Sequence, residues 1–131
     1  MKTTNANANA NTIAIGTAVF VQDKYGRDFG IIDEITDFGL GFVSSTKDGW
    51  IGRLVSEEAI EVLESKSDVS KAIQSAVGYF KLEKQSLVNR LARKLKADES
   101  AFIQDKIQSM IEHCDKWLGI LSCKNQNNEI K

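Results

Sequence analysis

The chain has 131 residues, 42% of them hydrophobic, enough for one ordinary domain or two very small ones with a packed core. Its formal charge of −1 excludes a globally basic nucleic-acid binder and a solvating acidic tail. No apolar run approaches the ~20 residues needed to cross a bilayer, and no charged-then-apolar leader pattern opens the chain. The only cysteines, Cys114 and Cys123, do not make a disulfide framework, so a cytoplasmic protein without a membrane partner is expected.

The net charge conceals an asymmetry. Residues 1–65 carry 5 Lys/Arg against 10 Asp/Glu, a charge of −5. Residues 66–96 carry 8 against 2, or +6, and residues 97–131 carry 4 against 6, or −2.

Residues 1–12 form a low-complexity tract of Asn, Ala and Thr that cannot bury apolar surface, and disorder is expected there. Ile13 and Ile15 either begin the first strand or tuck beneath the sheet. From Thr17 to Leu63 short apolar runs alternate with glycine and aspartate. Seven of the nine glycines (Gly16, Gly26, Gly30, Gly39, Gly41, Gly49 and Gly52) fall in or beside this stretch. Evenly spaced β-rich runs bounded by turn residues predict a small closed β-barrel within residues 13–64. Its strands are expected at Thr17–Gln22, Phe29–Thr36, Leu40–Ser45, Trp50–Val55 and Ile60–Leu63. Asp23–Asp28, Asp37–Gly39 and Lys47-Asp48-Gly49 supply the turns. Ser56-Glu57-Glu58-Ala59 reads as one helical turn capped by Ser56.

Four strands joined by tight turns, one helical turn and a short last strand resemble the SH3-like small barrels, the group of SH3, Tudor and KOW-type domains. Asp48-Gly49-Trp50 and the run from Ser56 to Leu63 carry the likeness, which is architectural and covers residues 17–63. The proline and tyrosine that flank and fill the SH3 helical turn are absent, so polyproline binding is not implied. In such barrels, aromatics at loop edges make a shallow groove, which makes Tyr25, Phe38 and Trp50 the candidate protein-binding residues.

Residues 65–123 have helical periodicity. Val69, Ile73, Ala76, Phe80, Leu87, Leu91 and Leu95 recur at three-, four- and seven-residue steps, with Gly78 weakening the middle and Lys84 interrupting the stripe. Ala97–Ser100 is a break with Asp98 as a cap. A second helix carries Ile103, Ile107, Met110, Cys114, Trp117 and Leu121 at heptad steps. An antiparallel helical hairpin follows, and the heptad seam is the expected self-association surface of a homodimer. Residues 124–131 read as a frayed polar tail. The whole is an α+β chain: a five-stranded barrel, then a hairpin.

No motif for catalysis, metal or cofactor appears. His113 is the only histidine, and its neighbours Glu112, Cys114 and Asp115 point in different directions on a helix. Asp33, Glu34, Asp37 and Asp48 read as charged strand ends and turns. Lys81, Arg90, Arg93, Lys94 and Lys96 could track phosphates, with Arg90, Arg93 and Lys94 the best local patch, although at ~100° per residue they spread around the helix. The expected function is that of a non-enzymatic protein-interaction factor, a small regulator or inhibitor of a larger machine such as plasmid and phage accessory proteins provide. The alternative is a nucleic-acid-binding regulator acting through the basic helix 81–96.

Overall fold

The computed structural model describes residues 13–46, 49–96 and 101–130. Five antiparallel strands come first: β1 Ala18–Asp23, β2 Gly26–Thr36, β3 Gly39–Thr46, β4 Gly49–Val55 and β5 Ile60–Val62, with a 3₁₀ turn at Glu57–Ala59 before the last. Two long helices follow, α1 Lys66–Lys96 and α2 Ala101–Ile130. The class is α+β, and the helical hairpin is present. The expected disordered tract 1–12, the Lys47-Asp48 turn and the Ala97–Ser100 break with its Asp98 cap lie outside the described residues.

The strands sit in the order β4-β3-β2-β1-β5. The expected closed barrel is not formed: β4 and β5 are the two edges, and among the described residues no ladder joins them. The sheet curls instead. Its concave face buries Val19, Val21, Ile32, Leu40, Phe42, Val55 and Ile60, with Ile13 tucked among them, so every strand contributes to one cluster. Arg53 of β4 reaches across this face to Asp23 at the end of β1, at 2.8 and 3.0 Å. Those strands are three ladder spacings apart, ~14 Å in a flat sheet, so only a strongly coiled sheet brings the pair together. Gly30 permits the coil, because a Cβ there would run into the Val43 carbonyl and the Phe42 ring.

The convex face is what a closed barrel would leave in water. Here α1 covers it. Ile31 and Val43 point outward from the sheet and are buried against Ile73, Ala76 and Phe80. Small residues let the helix sit close. Ser45 and Ser75 exchange three hydrogen bonds: the Ser45 amide donates to Ser75 Oγ (2.8 Å), Ser45 Oγ donates to the Ser75 carbonyl (2.7 Å), and Ser75 Oγ donates to the Ser45 carbonyl (3.1 Å). Gly78 lies directly over Ser45, where a Cβ would collide with Ser45 Oγ. The Tyr79 hydroxyl rests over Gly52, 2.9 Å from where a Cβ would stand. Gly78, which weakens the helix as an isolated element, is thus the residue that lets it dock.

The turns are tighter than the sequence indicates. β1 and β2 are joined by Lys24-Tyr25 alone, and Gly26 takes up the chain at φ +148°, as Gly39 does at +153° after Asp37-Phe38. Thr36 Oγ1 closes the second turn, accepting from the amides of Phe38 and Gly39 (both 3.1 Å) and donating to the Gly39 carbonyl (2.8 Å). Ser56 makes no side-chain cap; its carbonyl accepts the Ala59 amide instead (3.1 Å). The expected polar tail is part of α2, whose backbone is helical to Ile130, since neither glycine nor proline interrupts residues 120–130.

α2 packs antiparallel on α1. Their shared core is Phe80, Leu87, Ile107, Ile111, Cys114, Trp117 and Leu121. Lys84, the interruption in the α1 stripe, ends on Asp115 of α2 at 2.6 Å.

Candidate functional site

The side-chain contacts that tie α1 to the sheet run from Lys71, whose ammonium lies over the Phe29 ring, to Glu83, which accepts from the Trp50 indole at 3.4 Å. α1 then continues from Lys84 to Lys96, roughly 20 Å of helix at 1.5 Å per residue, with α2 as its partner. Two helices packed side by side bury only their facing stripes. Leu87, Ile107 and Ile111 are buried between them and Leu91 is half-buried, whereas Phe102 (75% exposed), Leu95, Met110 (41%) and Ile103 (38%) are left facing outward.

Part of that apolar surface is concave. A groove of about 470 Å³ lies between the helices, lined by Arg90 and Lys94 from α1 and by Ile103, Lys106, Ile107 and Met110 from α2. The lining follows from spacing. Ile103, Ile107 and Met110 stand at i, i+4 and i+7 and form one stripe of α2, while Arg90 and Lys94 at i and i+4 form one edge of α1. The floor is aliphatic and thioether; the rim is cationic. Among the described residues no ion pair holds Arg90, Arg93 or Lys106.

No family model, no curated protein and no solved structure matches this chain. The reading of the groove therefore rests on its own geometry.

The three candidate groove aromatics occupy three different places. Tyr25 (73% exposed) sits at the β1–β2 turn beside the Arg53 guanidinium, 5.5 Å from ring centroid to Cζ. Phe38 (91% exposed) is at the tip of the β2–β3 turn, which in an antiparallel meander lies at the opposite end of the sheet. Trp50 is the second residue of β4, on the face that meets α1. They do not line one groove.

Of the phosphate candidates, Arg90 and Lys94 share the groove rim and Arg93 is exposed beside them. Lys81 is exposed more than two turns away at the level of the sheet, and the side chain of Lys96 lies outside the described residues. The heptad seam divides. Ile107, Cys114, Trp117 and Leu121 are buried against α1 within the chain's own core. Ile103 and Met110 remain on the surface.

A second concavity of about 260 Å³ lies between sheet and α1, bordered by Asp33, Glu34, Gly41, Gly52, Leu54 and Tyr79. A bulge between Ile32 and Glu34 places the Asp33 carboxylate and the Cβ of Glu34 beside Gly41. Burial first, then Glu34, pushes the Asp33 carboxyl above its ordinary range, against a smaller opposing influence from His113. Burial, with Glu83 and Asp33, pushes the Tyr79 phenol up to about 12. Burial also raises the Cys114 thiol. Asp37 is exposed on its turn, and Asp48 lies outside the described residues. Among the described residues no group of three His, Cys, Asp or Glu could hold a metal ion, and no helix is long and apolar enough to cross a membrane.

Five of the six lining residues stand out in the sequence, but on two helices they read as two separate surfaces, Arg90 and Lys94 for phosphate and Ile103, Ile107 and Met110 for self-association; Lys106 carries no signal. Pairing the two stripes antiparallel through the break would have set Arg90 opposite Ile107 and Lys94 opposite Ile103.

Proposed function

We propose that this chain is a non-enzymatic protein-interaction factor that binds its partner with the projecting half of the helical hairpin. The observation that carries the reading is the groove of about 470 Å³ with an apolar floor of Ile103, Ile107 and Met110 and a rim of Arg90, Lys94 and Lys106. Adjoining exposed Phe102 and Leu95 enlarge the apolar surface, and exposed apolar surface rimmed by polar groups is the usual mark of a protein contact. Met110 suits such a surface, being flexible and polarizable. The curled sheet is then the platform that anchors α1. Its meander, with a 3₁₀ turn ahead of the short last strand, supports kinship with SH3-like domains at the level of strand order. A regulator or inhibitor working by occupancy in the cytoplasm is consistent with this arrangement.

The alternative, nucleic-acid binding through residues 81–96, draws on the same cations. An aliphatic floor favours it less, since phosphate and sugar seek polar partners.

The test is paired capture from a lysate of the source organism with the full chain and two variants. Partner recovery should be lost with Ile103→Glu/Met110→Glu on the hairpin and retained with Phe38→Glu on the sheet. Recovery that ignores the hairpin variant, or that disappears on nuclease treatment, overturns the reading.

A further inference from the structure

Resting on that reading, we infer that the occupant of the groove is an amphipathic helix of a partner protein, apolar along one stripe and acidic along its flanks, which lies between α1 and α2 as a third helix. Three features select it. First, Ile103, Ile107 and Met110 repeat at i, i+4 and i+7, the spacing at which a docked helix presents its own apolar anchors. Second, the charge is one-sided. From Lys84 to Lys96, α1 carries Lys84, Arg90, Arg93, Lys94 and Lys96 and no acidic residue, and Lys106 adds to the rim from α2. Lys84 is already paired with Asp115, and among the described residues no ion pair holds Arg90, Arg93 or Lys106, so positive charge gathers around the groove. Glu or Asp on both flanks of a docked helix would meet it. Third, the same charge disfavours a second copy of this chain, because a twofold pairing through the groove would set one basic rim against another.

Three synthetic peptides of equal length test the proposal, each with leucine on one helical stripe and with glutamate, lysine or glutamine on the flanks. They are titrated into the isotope-labelled full chain at low salt and followed by amide shifts. The glutamate peptide should move amides of residues 87–94 and 103–110, binding about tenfold more tightly than the glutamine peptide, the size of a few exposed ion pairs together. The lysine peptide should not bind. Arg90→Glu/Lys94→Glu, with its fold checked by circular dichroism, should reverse the order and prefer lysine.

Equal binding of all three peptides overturns the acidic preference while leaving the interaction reading intact. Failure of every peptide to shift the groove amides overturns the docked helix, and the interaction reading is then decided separately by the capture experiment. Tighter binding of a single-stranded or duplex oligonucleotide, falling steeply with salt, overturns the proposal in favour of nucleic acid. Concentration-dependent shifts of the same amides without peptide, matched by dimer in sedimentation, overturn it in favour of a second copy.

Discussion

The indole of Trp117 lies flat on the phenyl ring of Phe80, with centroids 5.6 Å apart and planes within 4°. Tyr79 meets the same phenyl ring edge-on at 5.0 Å and 86°. Phe80 therefore joins the sheet-facing layer to the outer helix. Trp117→Ala should remove 3–5 kcal/mol of unfolding free energy in a denaturant titration, about the cost of emptying a buried aromatic site. A loss under 1 kcal/mol would mean that α2 is held elsewhere.

Two glycines in helices should respond oppositely to the same substitution. Gly119 has nothing within 4 Å of a built Cβ, so Gly119→Ala should gain about 1 kcal/mol from helix propensity. Gly78→Ala carries the same gain but drives a methyl into Ser45 Oγ, which is committed to Ser75 and cannot turn away without giving up that bond. A net loss of roughly 1–2 kcal/mol is expected, since overpacking outweighs propensity. Melting temperatures of the two variants should fall on opposite sides of the parent.

Asp33 supplies a pH dependence whose sign can be worked out. Its carboxyl is raised in the folded chain by burial and by Glu34, so between the unfolded and folded values the folded state binds more proton than the unfolded state. Stability from this group is present below the unfolded value near 3.8 and is lost as pH rises through the folded value. Asp33→Asn should therefore stabilise at pH 7 and lose its advantage toward pH 3, read as the difference in denaturation midpoint across that range. Asp23 works the other way. The hydrogen bond from Arg53 lowers its carboxyl, so its contribution is present at neutral pH and is lost as pH falls through the depressed folded value.

Lys84 and Asp115 meet at 2.6 Å with both side chains substantially exposed. A double-mutant cycle to alanine should give a coupling of about 0.5 kcal/mol at low ionic strength, as for other exposed pairs, and less in 1 M salt. A coupling above 2 kcal/mol would show that the pair is shielded from solvent in solution.

The β half should not stand alone. Ending the chain after Leu63 uncovers Ile31 and Val43, which α1 buries. Such a fragment should bind a hydrophobic dye and aggregate. A cooperative melt at the parent's temperature would show that the curled sheet is self-sufficient.

Where local chemistry decides, residues and structure agree. Glycine and aspartate mark every hairpin, and the stripes of Ile73, Ala76, Phe80 and Leu87 on α1 and of Ile107, Cys114 and Trp117 on α2 are buried as their periodicity requires. What could not be read was what each surface meets. The alternation along β2 and β3 gives Ile31 and Val43 the look of outward residues on a barrel, and only the arrival of α1 reveals them as core. The bulge at Asp33 shifts Glu34 to the same face as its neighbour, a change that period-two reading cannot foresee. A heptad seam does not state whether its partner belongs to the same chain: α1 takes up Ile107, Cys114, Trp117 and Leu121, while Ile103 and Met110 of the same seam stay on the surface.

Because α1 is the cover for strands made before it, the order of synthesis works against early completion of the sheet. By the time Val62 leaves the ribosome every strand exists, yet the outer sides of Ile31 and Val43 have no neighbour until Ile73 to Phe80 emerge, and Phe80 itself waits for Trp117. At translation speeds of ~5–20 residues per second that interval lasts seconds. During it the nascent β half carries an uncovered apolar face, so a stalled or truncated message should yield an aggregation-prone fragment instead of a smaller working protein.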